Sequence, residues 1–247
     1  MNVTLVTCFY GRHEKVERII RCFLDQTYTG TTTLLLFNNS EKKEVLDNIE
    51  TPPNKRIIVV NNHIDLYDNL PYKNVGDIFR DAIKFISWDC DVVTFFDSDD
   101  IFLPRHVEAG VDGMKKALSK EQKAYKPYYS YFLYGDKITK EHNNLEPSIF
   151  IDVDFVRRKG FHKTSASYHN GWLNALKEEN LMFIDKEGES TLIYDWGTGH
   201  NTFKISGAGD DTEVNFKNHR KHETDFGDGV LSPAKQELVE KYYKMAQ

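Results

Sequence analysis

Apolar runs of strand length alternate with amphipathic stretches through the first hundred residues. Val3 to Thr7 clusters β-branched residues and predicts a strand; the turn Cys8-Phe9-Tyr10-Gly11-Arg12 follows. Val16, Ile19, Ile20, Phe23 and Leu24 then recur at helical spacing and predict a helix closing near Gln26. Thr31 to Phe37 predicts a second buried strand ending in Asn38-Asn39-Ser40, and Val45, Leu46 and Ile49 a short helix stopped by Pro52-Pro53. Ile57 to Val60 predicts a third strand ending in Asn61-Asn62. Gly76 to Ser87, with Ile78, Phe79, Ala82, Ile83 and Ile86 on one face, predicts a helix leading into a strand at Val92 to Phe96. Strands and helices in strict alternation are the pattern of a parallel sheet with right-handed crossovers. Its ligand crevice lies at the carboxyl ends of the strands, where this chain places small and polar residues.

Beyond Pro104 the pattern is less regular. Val107, Val111, Met114 and Leu118 predict a helix, and the tyrosine-dense stretch Tyr125 to Tyr134 predicts a strand with aromatic cross-strand pairs in preference to a stacking platform. Ser148 to Val153 reads as a strand and Phe155 to Lys159 as a short helix. Trp172, Leu173 and Leu176 read as a helix, and Leu181 to Ile184 and Thr191 to Tyr194 as extended segments. Trp196 to Asn201 is glycine-rich and reads as a loop. Ser232-Pro233 starts a final helix, serine capping and proline in the first position. The division expected is a single domain over 1–247, with a binding half at 1–104, a second half at 105–222 and a tail helix in 223–247.

Charge and cysteine content narrow the partners. With 38 acidic against 32 basic residues the net charge is −6, which gives no general attraction to nucleic acid or to an anionic membrane. Cys8, Cys22 and Cys90 are too few and too scattered for a disulfide framework or a zinc site, so a reducing compartment is expected. No apolar run approaches membrane-spanning length, and the expected location is the cytoplasm, or a host's cytoplasm if the chain is phage-encoded.

The chemistry concentrates where the fourth strand ends. Its buried run stops in Asp97-Ser98-Asp99-Asp100. Clustered carboxylates beside a core cost several kcal/mol unless something positive neutralises them. A hard divalent cation shared with a phosphate-bearing substrate does this well; the alternative is a solvated loop whose aspartate caps the next helix.

Five motifs in order resemble the GT-A glycosyltransferases, in particular the family-two group that uses nucleotide-diphosphate sugars, over about the first 205 residues. They are Val6-Thr7-Cys8-Phe9-Tyr10-Gly11-Arg12, Asp25-Gln26-Thr27-Tyr28, Asn74-Val75-Gly76 with Arg80, Asp97-Ser98-Asp99-Asp100 with Leu103-Pro104, and Arg157-Arg158-Lys159-Gly160-Phe161. The resemblance implies a GT-A, Rossmann-like α/β fold: a mostly parallel sheet flanked by helices, with an acceptor-side C-terminal half. It implies a metal-dependent transfer of a sugar, from a UDP-sugar in the first instance, to a hydroxyl acceptor such as a glycan. Cys8, Tyr10, Asn38, Asn39, Arg80, Asp97 and Ser98 would meet the nucleotide sugar. Asp97, Asp99 and a late histidine, His200, would hold Mn²⁺ or Mg²⁺, which stabilises the charge on the departing diphosphate.

The expected base departs from the family pattern, which places a Glu-Asp pair after Gly-Phe. Here that slot falls near His169-Asn170, and Gly209-Asp210-Asp211-Thr212-Glu213 resembles the pair at a later position. Asp211 and His169 are therefore the candidates for proton removal in an inverting reaction; a chain lacking both would point to a retaining one. A hydroxymethylated base in DNA is the alternative acceptor, with Lys126 in the tyrosine-rich stretch and the run Lys217, His219, Arg220, Lys221, His222 as backbone contacts. The missing pair also motivates a different class, a non-catalytic nucleotide-sugar-binding protein of the same fold.

Overall fold

The computed structural model describes residues 1–10, 13–44, 46, 49–134, 137–143, 145–165, 167–195 and 233–244. Its strands are β1 (Val3–Phe9), β2 (Thr32–Asn38), β3 (Lys55–Asn61), β4 (Val92–Phe95), β5 (Ile101–Phe102), β6 (Ala124–Pro127), β7 (Tyr129–Tyr134), β8 (Lys137–His142), β9 (Phe150–Asp152), β10 (Met182–Asp185) and β11 (Leu192–Asp195). The helices are α1 (His13–Leu24), α2 (Val75–Ala82), α3 (His106–Leu118), α4 (Val153–Lys159), α5 (Asn170–Glu178) and α6 (Pro233–Lys244).

Seven strands form the main sheet in the order β10-β6-β9-β4-β1-β2-β3. The pairs β1–β2, β1–β4, β2–β3 and β6–β10 are parallel, and β9 runs antiparallel between β4 and β6. A smaller sheet, β5-β11-β7-β8, packs the segment after the acidic loop against the second half of the chain. The central strands are apolar without alternation because both faces are covered. Val3, Leu5, Leu34 and Leu36 face a core shared with α1, α3 and α6, while Val6, Leu35, Phe37, Val93 and Phe95 face one shared with α2, α4 and α5.

Several expectations are corrected. Leu46 and Ile49 lie outside any helix. The Asn61 side chain accepts from the Glu44 amide (2.8 Å) and donates to the Glu44 carbonyl (2.9 Å), occupying backbone groups that a helix would need. The helix expected over 76–87 ends as α-helix at Ala82 and finishes in a 3₁₀ turn at Ile83–Phe85. The tyrosine-rich stretch is two strands, β6 and β7, with Tyr125, Lys126 and Tyr131 buried. The burial of Tyr125, Lys126 and Tyr131 counts against these three side chains as contacts to a nucleic-acid backbone.

Candidate active site

The carboxyl end of β4 delivers Asp97 to the crevice, and the acidic loop behind it is held from three directions. Thr7 of β1 donates its hydroxyl to the Phe96 carbonyl at 2.7 Å. Arg18 of α1, 1% exposed, donates to the Ser98 carbonyl at 3.0 Å. The Asp195 amide, at the end of β11, donates to an Asp100 carboxylate oxygen at 3.2 Å. Asp99 and Asp100 are buried and Asp97 is half-exposed.

Just past the loop, Gln26 links α1 to α3. Its amide nitrogen donates to the Cys22 and Leu103 carbonyls (2.8 and 3.1 Å), and its oxygen accepts from the Val107 amide (2.9 Å). Arg105, at the N-cap of α3, makes no side-chain capping bond, so Gln26 satisfies from a distance a donor that helix starts leave open. Thr27 adds a backbone bond to the Pro104 carbonyl (2.8 Å) and a hydroxyl bond to Glu108 (2.7 Å). Two of the five sequence motifs are thus two sides of one joint.

Beside Asp97 lies a small cavity of about 20 Å³, lined by Phe95, Asp97, Glu146, Pro147, Phe161, Tyr168, His169 and Trp172. Its far wall comes from the connection between α4 and α5. Gly160, at φ 69°, caps α4 in the left-handed region that glycine enters freely. Gly76, at the start of α2, approaches that connection so closely that a Cβ there would lie 1.8 Å from the His162 carbonyl oxygen. Phe79 of α2 stacks on Tyr168 at 4.7 Å, and Phe95 on Trp172 at 5.8 Å.

On that wall His169 Nε2 sits 2.9 Å from Glu146 Oε1. Burial pushes the Glu146 carboxyl up, but the His169 hydrogen bond and charge outweigh it and hold the group below the usual carboxylate range. Lys126, buried on β6 beyond Glu146, is pushed down to about 8 by burial, with the Glu146 charge opposing the shift. Burial and then Asp97 raise the Tyr168 hydroxyl and the Cys8 thiol well above their ordinary values. Asp97, Cys8, Tyr168, Glu146 and His169 therefore belong to one electrostatic neighbourhood.

Other expected site residues are placed differently. Tyr10 is exposed at the end of β1, and Asn39 beside it is half-buried, its amide donating to the Phe9 carbonyl (3.1 Å). Asn38 is fully buried and saturated. Its nitrogen donates to the Lys42 carbonyl and to Asn61 Oδ1 (2.6 and 2.8 Å), while its oxygen accepts from the Ser40 amide and hydroxyl (3.1 and 2.6 Å). It shapes the turn and has no bond left for a base, which corrects the expectation. Arg80 is corrected likewise: its three guanidinium nitrogens contact Asp65 (2.8 Å), Asp77 and Asp81 (3.1 Å). That network anchors the 62–73 loop, with the Asp81 carboxylate also accepting from Tyr72 and the Leu66 amide. Ser98 is buried and contributes its carbonyl to Arg18. Asp211, His200 and the basic run at 217–222 lie outside the described residues. Glu146 had no site role in the sequence reading, and Lys126 had one only as a nucleic-acid contact; a glutamate directly before proline at the start of a 3₁₀ turn was the local sign of Glu146.

Among the described residues no three His, Cys, Asp or Glu side chains converge into a complete metal cage. The donor set nevertheless fits a hard divalent cation: Asp97 and Asp99 offer carboxylate oxygens, and Mg²⁺-type sites commonly use one or two such groups with substrate phosphates and water.

The fold is the α/β arrangement expected from the sequence, a seven-stranded, mostly parallel sheet flanked by helices. S. aureus TarS is similar to it in structure. The TarS 1–349 complex with UDP-GlcNAc superposes with a TM-score of 0.58 at 10% identity, covering 99% of this chain and 72% of that one. The complex with UDP gives 0.56 at 10% identity over 79% of this chain and 60% of that one. Against another TarS crystal structure, also at 0.56 and 10% identity, the chain spans just over a third of the length, 37%. No family model and no curated protein matches the sequence. No helix among the described residues is long and apolar enough to cross a membrane.

Proposed function

We propose that the protein is a glycosyltransferase that moves a hexosyl or pentosyl group from a nucleotide-diphosphate sugar, a UDP-sugar in the first instance, to a hydroxyl of a glycan, with inversion. The observation that carries this reading is the cavity at the carboxyl end of β4, where Asp97 meets the Glu146–His169 pair. It lies in a fold shared with a protein crystallised with UDP and with UDP-GlcNAc. Cys8, Tyr10 and Asn39, at the ends of β1 and β2, flank the donor crevice. Asp97 and Asp99 would hold Mn²⁺ or Mg²⁺, with His200 as the further ligand implied by the family resemblance. When bound, such an ion offsets the charge that builds on the departing diphosphate. Arg18, Thr7 and Gln26 keep the loop that carries these acids in place. The glycan acceptor is favoured over DNA because Tyr125, Lys126 and Tyr131 are buried.

The test is a thermal-shift and hydrolysis panel of UDP-GlcNAc, UDP-glucose and other nucleotide sugars, with and without Mn²⁺. A donor at about 100 times its Kd adds about 2.7 kcal/mol to the folded state, and the shift is expected to need Mn²⁺ and to disappear in Asp99→Asn. Metal-stimulated turnover unchanged in Asp99→Asn refutes the metal assignment. Binding without turnover, for every donor, makes the protein a non-catalytic nucleotide-sugar binder.

A further inference from the structure

We propose that the cavity between Asp97 and Trp172 receives the attacking hydroxyl, and that His169, oriented by Glu146, takes its proton. This rests on the glycosyltransferase reading above and supplies the base which that reading lacks among the described residues.

Three observations carry it. First, with Nε2 donating to Glu146 at 2.9 Å, the neutral tautomer leaves Nδ1 bare, an acceptor on a ring that lines the cavity. Second, Trp172 lines the same cavity, is fully buried, and its indole N–H has no acceptor among the described residues. A buried donor of this kind is costly unless an oxygen from outside satisfies it. Third, a volume of about 20 Å³ suits a single water or one hydroxyl group.

The transfer then balances as follows. The acceptor O–H bond breaks as its oxygen bonds the sugar's anomeric carbon, and the proton moves to His169 Nδ1. The bond from that carbon to the diphosphate oxygen breaks, and the nucleoside diphosphate leaves with the electron pair. The resulting imidazolium faces the Glu146 carboxylate. Asp97 across the cavity with Asp99 and Cys8 behind it, Tyr168 in ring contact at 4.5 Å, and Lys126 with Lys177 beyond Glu146 are charged or titratable groups around the pair. His169 is the catalytic residue in this scheme and Glu146 a positioning residue, a base–orienter arrangement.

The experiment uses the full chain with Mn²⁺ and UDP-GlcNAc, or whichever nucleotide sugar in the panel is consumed fastest, with water as nucleophile. His169→Gln is expected to lose about 10²- to 10⁴-fold in kcat, with donor KM and donor-induced thermal shift retained. The acid-side limb of the pH–rate profile should vanish. Glu146→Gln keeps an acceptor for Nε2–H but removes the charge, so it should lower kcat and move the acid limb to lower pH; a purely structural role would not move that limb. His169→Ala should regain turnover on addition of imidazole, which separates lost chemistry from lost folding. Wild-type turnover with His169→Gln at wild-type kcat and an intact acid limb overturns this proposal and leaves the glycosyltransferase reading standing. If no nucleotide sugar is bound or consumed by the wild type, both fall.

Discussion

Gln26 gives the sharpest test of how the acidic loop is held. It is 4% exposed and makes three bonds: two donated to the Cys22 and Leu103 carbonyls and one accepted from the Val107 amide at the start of α3. Gln26→Leu keeps the size of the side chain and removes all three. The loss of a helix-capping acceptor costs about 0.5–2 kcal/mol, and leaving buried backbone groups unsatisfied adds about 1–3 kcal/mol. Shared relaxation keeps the sum to about 2–4 kcal/mol, or about 5–15 °C in Tm for a chain of this size. Urea denaturation followed by tryptophan fluorescence and circular dichroism measures it, in parallel with the Mn²⁺-dependent donor shift. Donor binding should weaken more than in an equally destabilised variant away from the joint, because the Leu103 carbonyl closes the segment that begins at Asp97. A Gln26→Leu protein within about 0.5 kcal/mol of wild type, the range of an ordinary surface change, would refute the idea that this side chain joins α1 to α3.

Two further outcomes are expected. His106 is buried among Phe96, Phe102 and Phe150, with Nδ1 2.9 Å from the Thr191 hydroxyl, and burial pushes it from 6.5 down to about 3. Between those values the unfolded chain binds the extra proton. Stability therefore falls as pH drops below 6.5, by about 1.4 kcal/mol per unit. His106→Gln should flatten that slope between pH 5 and 6.5 in urea titrations, and an unchanged slope would show that His106 does not carry it. Gly76→Ala forces a Cβ against the His162 carbonyl and strains the bond from the Gly76 amide to the Thr164 carbonyl (3.0 Å). It should cost about 1–3 kcal/mol and lower turnover by displacing His169, whereas a variant with wild-type stability and turnover would show that the approach is loose.

The parallel half was legible because its signals are periodic and redundant. β1, β2 and β3 are seven residues each, apolar on both faces, and each is punctuated by polar residues at the crevice. Directions and very short elements were not legible. Phe150–Asp152 lies within the strand expected over 148–153, but its antiparallel direction was not foreseen, and Ile101–Phe102 is a two-residue strand defined by its pairing with β11. Both depend on partners distant in sequence, which a local pattern does not encode. The sequence reading named Asp97 and His169, and the structure places both on the lining of one cavity. That reading misled at Asn38 and Arg80, because a polar residue at a strand end can serve the turn as readily as a ligand. Only its hydrogen-bond partners decide, and those of Asn38 include Asn61 on the neighbouring strand.

The placement of Glu146 and His169 bears on how donor and acceptor are brought together. The acidic loop is fixed from the N-terminal half through Thr7, Arg18 and Gln26, with the Asp195 amide of β11 bonded to Asp100. The opposite wall of the cavity comes from the α4–α5 connection and the turn before β9. The two meet through the β4–β9 pairing, the Thr94 hydroxyl bond to the Pro147 carbonyl (3.4 Å), the Gly76 approach, and an aromatic joint of Phe79 and Phe95 against Phe161, Tyr168 and Trp172. On the proposed reading, a metal and diphosphate would be held at the acidic loop while the proton acceptor would be positioned from the α4–α5 connection. Small displacements at the aromatic joint then change the distance over which the proton moves without disturbing the grip on the donor. Proton transfer is far more sensitive to such a displacement than is binding of a charged diphosphate, so the proposed reading predicts that defects in the joint lower kcat and defects in the acidic loop lower donor affinity.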